Sequence, residues 1–208
     1  MSMKRAVLLC CLIAAASALA LLMVASVGDA APRYKAVTKR FSNTAAIQIP
    51  DSGPATPYPS EINVSGFVNT AKVKDVNLSL NNFSHTFPDD VDVLVVGPQG
   101  QNAIVMSDVG GGTDVSSITL KLDDAATTAL PDKAQLQSGS YQPRNRGPDG
   151  DDVFPAPAPA PSGGETLAVF GGTNPNGPWQ LFVVDDAARD TGEIAGGWTL
   201  EIKARVRR

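Results

Sequence analysis

Residues 174–185 read Asn174-Pro175-Asn176-Gly177-Pro178-Trp179-Gln180-Leu181-Phe182-Val183-Val184-Asp185, and residues 197–202 read Gly197-Trp198-Thr199-Leu200-Glu201-Ile202. Each stretch passes from turn formers into a Trp-x-Leu alternation, the period-two pattern of a strand with a buried face. In the first, Trp179, Leu181 and Val183 share one face while Phe182 and Val184 are apolar on the other. A strand apolar on both sides is expected to be covered on both. Val91 to Val96 and Ile104 to Met106 are similarly dense.

The alternation recurs in Ala45, Ile47 and Ile49, in Ile62, Val64 and Val68, in Val76, Leu78 and Leu80, and in Ile118, Leu120 and Leu122; it continues from Trp198 to Val206. Turn formers separate these runs, among them Pro50-Asp51-Ser52-Gly53, Gly97-Pro98-Gln99-Gly100 and Gly110-Gly111-Gly112. The pattern predicts eight or nine strands and no amphipathic helix. Short strands without crossover helices imply an all-β fold, an antiparallel β-sandwich or jelly roll whose two inner faces form the core.

Met1 to Arg5 carries two positive charges, residues 6–28 carry none, and Gly28-Asp29-Ala30 offers small residues for signal peptidase. Residues 1–30 are therefore expected to be a signal peptide, giving a secreted or extracytoplasmic protein. At 23 residues the uncharged run is also long enough to span a bilayer, so an uncleaved anchor is the alternative. Membrane contact is expected only through residues 6–28. The 178 residues from Ala31 onward suit one domain, and their 16 prolines and 18 glycines, 34 of 178 or 19%, argue against a helical bundle. Both cysteines, Cys10 and Cys11, precede Ala31, which excludes thiolate chemistry and zinc-finger architecture from the mature chain.

Charge is unevenly distributed. Residues 41–200 carry 19 acidic and 7 basic side chains, a net of −12, against +4 in residues 31–40 and +3 in residues 201–208. An acidic body repels phosphate backbones, so no nucleic-acid partner is expected. Residues 31–40 read as a basic flank, 41–203 as the sandwich, and 204–208 as a basic tail. Within the sandwich, residues 144–164 form a Pro/Ala/Gly-rich loop containing Pro155-Ala156-Pro157-Ala158-Pro159-Ala160-Pro161, expected to lie extended on the surface.

A hydrolytic triad needs a nucleophile, an imidazole and an orienting carboxylate, and the chain has one histidine, His85, in Ser84-His85-Thr86. Neighbours on a strand point to opposite faces, and no Gly-x-Ser-x-Gly elbow is present. His85 is therefore read as a hydrogen-bonder between strand and turn, and no catalytic residue is assigned. Aspartates gather at predicted strand ends, where the first reading has each capping its own turn. The competing reading makes Asp90, Asp185 and Asp186 calcium ligands, since calcium takes six to eight oxygens and accepts irregular loop geometry. No other cofactor is called for.

The ordered set Ile47-x-Ile49-Pro50, Asp75-Val76, Ser84-His85-Thr86 followed by Asp90, Leu94 with Gly97-Pro98-x-Gly100, Tyr141-x-Pro143, residues 174–185, Gly192 and Gly197-Trp198-x-Leu200-x-Ile202 resembles the P domain (P/Homo B domain) of proprotein convertases and bacterial subtilisin-like serine proteases. The resemblance spans about residues 41–203. It implies a jelly-roll sandwich with Trp179 and Trp198 in its core, and an accessory role beside a catalytic domain. Nothing outside residues 41–203 is large enough for such a domain, so the expectation is a non-enzymatic module. It would bind or stabilise another extracytoplasmic protein, a serine protease being the partner the resemblance suggests. The alternative is a membrane-anchored cell-surface structural or adhesion module.

Overall fold

The alternation around Val76, Leu78 and Leu80 belongs to a 14-residue strand that organises one of two sheets in a computed structural model. The structure describes residues 33–147, 152–162 and 164–208. The expected signal or anchor segment, residues 1–30, lies outside them.

Among the described residues the strands run β1 (Tyr34–Asn43), β2 (Ile47–Ile49), β3 (Gly53–Pro54), β4 (Ser60–Val64), β5 (Lys72–His85), β6 (Val91–Val96) and β7 (Asn102–Ser107). They continue with β8 (Val115–Leu122), β9 (Gly139–Tyr141), β10 (Arg144–Asn145), β11 (Gly177–Asp185), β12 (Gly192–Ile194) and β13 (Trp198–Arg207). The first sheet is ordered β1-β13-β5-β12-β2, with β8 on the other edge of β5 and β9 beside β8. The second is ordered β10-β7-β6-β11-β3, with β4 also on β11. The fold is an all-β two-sheet sandwich. The expectation needs two corrections: among the described residues there are thirteen strands and not eight or nine, five of them only two or three residues long, and β8–β9 and β10–β7 pair in parallel, each over three residues or fewer.

Three boundaries also differ. β1 begins at Tyr34 and pairs along its whole length with β13, so most of the expected basic flank is an edge strand. β13 runs to Arg207, so the expected tail closes the same ladder. Charge on an edge strand blunts pairing with other chains, which is how a basic stretch can still be sheet. Val68, grouped with Ile62 and Val64, is exposed beyond the end of β4.

The inner faces meet in one core. Val76, Leu78, Leu80, Phe83, Leu120, Leu122, Leu200 and Ile202 from the first sheet pack with Ile62, Val91, Val93, Val95, Leu181 and Val183 from the second. Trp179 and Trp198 are fully buried there, and each indole N–H is satisfied, by the Pro175 carbonyl at 2.9 Å and by Ser60 Oγ at 3.0 Å. The polar residues before Trp179 brace this end: Asn176 accepts the Phe67 N–H through Oδ1 and donates to the Phe67 carbonyl through Nδ2.

The second sheet is also apolar outside. Leu94, Val96, Ile104, Phe182 and Val184 form a smaller core with Phe154, against which Tyr58 and Ala158 pack. Its cover is the Pro/Ala segment, held by Tyr58 Oη–H to the Pro155 carbonyl at 3.0 Å, Asn102 Nδ2–H to the Ala160 carbonyl at 3.2 Å, and the Ser162 N–H to Asn102 Oδ1 at 2.9 Å. The described part of the loop is thus an outer layer of the sandwich.

Candidate functional site

β5 ends at His85 and β11 ends at Asp185, and the two side chains meet at the same end of the sandwich. His85 is 2% exposed, and its Nε2 lies 3.1 Å from Asp185 Oδ2. Its Nδ1 lies 2.9 Å from the Phe87 carbonyl oxygen and 3.1 Å from the Phe87 nitrogen. The neutral ring with its proton on Nε2 donates to the carboxylate and accepts the Phe87 N–H, whereas a protonated ring donates from both nitrogens, to Asp185 and to the Phe87 carbonyl. Burial holds the imidazole below its ordinary value, against the opposing pull of the Phe87 carbonyl, Asp90 and Asp190. The ring lies nearly parallel to Phe83, with 6.3 Å between centroids. On the neighbouring strand stands Gly192, where a Cβ would come within 2.4 Å of the ring and 2.2 Å of the Ser84 carbonyl, so only glycine fits.

This arrangement differs from a hydrolytic triad at one decisive atom. A triad histidine keeps one ring nitrogen on a carboxylate and offers the other to the nucleophile. Here the second nitrogen is engaged by the Phe87 main chain, while Ser84 Oγ accepts the Ser117 N–H at 2.8 Å. His85 therefore ties β5, the following turn and β11 together.

The surrounding aspartates chiefly brace loops. Asp185, fully buried, also accepts the Ala187 N–H through Oδ1 at 3.1 Å, and Asp190 Oδ1 accepts the Thr86 hydroxyl at 2.8 Å. Asp51 Oδ1 accepts the Arg189 N–H. The Asp186 N–H donates to the Asp90 carbonyl at 3.0 Å, bringing Asp90 and Asp186 to the same end. Burial, then the charge of Asp185, Asp186 and Asp190, pushes Asp90 up to about 6. Asp185 also rises to about 6, chiefly through burial, with the Ala187 N–H opposing.

The carboxylates that converge most closely are a different set from the expected Asp90, Asp185 and Asp186. Among the described residues, oxygens of Asp92, Asp108 and Asp152 lie within 4.8 Å of one another. Asp92 sits on the outer face of β6 and is 2% exposed; Asp108 follows β7, and Asp152 lies three residues before Pro155. Burial drives Asp92 up to about 8 against the opposing Ser107 hydroxyl, and the neighbouring charges of Asp152, Asp186 and Asp108 add to the rise. Sequence reading missed this set because its members are spread from residue 92 to residue 152. The available signal was Asp92 itself, a lone charge inside the apolar run Val91 to Val96.

No protein-family model matches the chain, and no curated protein matches it. Among solved structures, the serine protease of Aeromonas sobria in complex with its chaperone aligns over 85% of this chain at 12% identity with a TM-score of 0.40. The same protease by itself aligns over 83% at 13% identity with a TM-score of 0.39. The chain spans 28% and 27% of the length of those two chains.

Proposed function

We propose that this chain is a secreted, non-catalytic module of the P-domain type that binds or stabilises another extracytoplasmic protein, with a subtilisin-like serine protease as the partner. The observation that carries this reading is the commitment of both His85 ring nitrogens, one to Asp185 and one to the Phe87 main chain. The other residues on which the P-domain resemblance rests also build rather than react. Asn176 fixes the Phe67 backbone, Trp179 and Trp198 fill the inner core, and Gly192 admits the His85 ring. A module made this way acts through its surface.

The test is affinity capture from culture supernatant with the tagged chain, followed by thermal inactivation of the captured protease with and without added module. Enrichment of a serine protease whose activity survives longer in the presence of the module is expected. Enrichment of none, or no change in its inactivation, would contradict the proposal. N-terminal sequencing of the extracellular protein should find a start near Ala31. A start within residues 1–5, with the protein confined to the membrane, would favour the anchored adhesion module.

A further inference from the structure

Ser107 is fully buried, and its hydroxyl lies between two carboxylates: 3.1 Å from Asp108 Oδ2 and within hydrogen-bond reach of Asp152 Oδ1. A hydroxyl has one proton, so it can donate to one of these oxygens and presents a lone pair to the other. Two further buried oxygens beside this pair have no hydrogen-bond partner. One is Oδ2 of Asp92, the almost fully buried member of the converging set; the other is Oδ1 of Asn145, whose Nδ2 donates to Asp152 Oδ2 at 3.0 Å. Buried oxygens are ordinarily satisfied, and leaving one without a partner is costly. A cation resolves all of these conflicts at once.

From these oxygens we infer a calcium site formed by the carboxylates of Asp92, Asp108 and Asp152 with the amide oxygen of Asn145. The donor set contains only oxygen and is rich in carboxylate, which suits a hard cation and gives no soft ligand to zinc or copper. The donors come from β6, β10, the residue after β7 and the start of a loop, an irregular cage of the kind calcium accepts and magnesium fits poorly. The placement also gives the ion a task. Asp92 and Asn145 belong to the second sheet, whereas Asp152 shortly precedes Phe154 and Ala158, which pack onto that sheet. Calcium bridging them would fasten the Pro/Ala cover to the sandwich three residues before Pro155.

Isothermal titration of the chelator-treated full chain with calcium chloride tests this directly. One ion per chain is expected, accompanied by a rise of several degrees in melting temperature and by slower proteolytic cutting within residues 153–162. An equal concentration of magnesium should give a much smaller response. Asp152→Asn, at a partly exposed position, should preserve the far-ultraviolet circular dichroism spectrum while weakening calcium binding at least tenfold and removing the effect on loop cutting. Asp90→Asn should leave binding unchanged. Absence of binding to the unmodified chain, binding unaffected by Asp152→Asn, or binding lost in Asp90→Asn would each overturn the assignment.

Discussion

The two apolar cores share β6, β7 and β11 but are closed in different ways. On the inner side, those strands meet another sheet, and alternating side chains from both sheets interlock around Trp179 and Trp198. On the outer side, Leu94, Val96, Ile104, Phe182 and Val184 meet a proline-rich segment that contributes Phe154 and Ala158. The inner core is held by hydrogen-bonded ladders on both sides. The outer core is held by a few side chains and the main-chain contacts of a chain without regular structure. Local opening should therefore begin at the outer cover, where fewer buried contacts must be lost together.

Three substitutions grade that difference. Trp198→Ala removes the largest kind of side chain from the inner core and leaves Ser60 Oγ without its indole donor, so it should cost ~3–5 kcal/mol. Urea denaturation measures this; a nearly unchanged midpoint would show that the inner core is not the main source of stability. Phe154→Ala should cost about 2 kcal/mol, because the residue is 8% exposed and sits on a segment able to relax. Proteolytic cutting within residues 153–162 should accelerate before global unfolding. A cost equal to that of Trp198→Ala, with no early cutting, would show that the two cores unfold as one.

The smallest effect is expected for Tyr58→Phe, ~0.5–1.5 kcal/mol for a single hydrogen bond to the Pro155 carbonyl. This substitution also carries a pH signature. Burial raises the Tyr58 phenol from 10.0 to about 12, so the folded protein holds the proton more tightly than the unfolded chain. The stabilisation associated with that proton is fully present below pH 10 and is lost as pH rises from 10 towards 12. The gap between the unmodified chain and Tyr58→Phe should therefore narrow across that window. Absorbance titration should show one tyrosine ionising last; three tyrosines titrating together near pH 10 would place Tyr58 in open solvent.

The same contrast governs what could be read from the sequence. Inner-core strands were legible because alternation is what a half-buried strand requires, and Trp198 to Val206 keeps it through the basic end of the chain. β1 is hidden in the sequence because Arg33, Lys35, Lys39 and Arg40 make residues 31–40 read as a flank. Lys39 is compatible with an edge strand because its ammonium lies over the Phe67 ring and donates to the Gly66 carbonyl at 2.7 Å. The Pro/Ala segment has no periodicity from which to infer what it covers. The apolar character of both faces at Val91 to Val96 and Trp179 to Val184 did indicate that a cover was needed. At the candidate site, the His85–Asp185 contact joins residues 100 apart, so it is created by the pairing of strands and not by any local pattern. The calcium expectation fell on aspartates at strand ends, where turn chemistry already employs them. The Asp92, Asp108 and Asp152 group depends on where the loop comes to rest.

The central claim, that the residues of this site build a binding module and do not cleave peptide bonds, is tested most directly by treating the purified chain with a fluorophosphonate probe and locating any adduct by mass spectrometry. With His85 Nδ1 engaged by the Phe87 main chain and Ser84 Oγ accepting the Ser117 N–H, no serine should be labelled in either the unmodified chain or His85→Ala. Stoichiometric labelling of one serine in the unmodified chain, abolished by His85→Ala, would contradict the account.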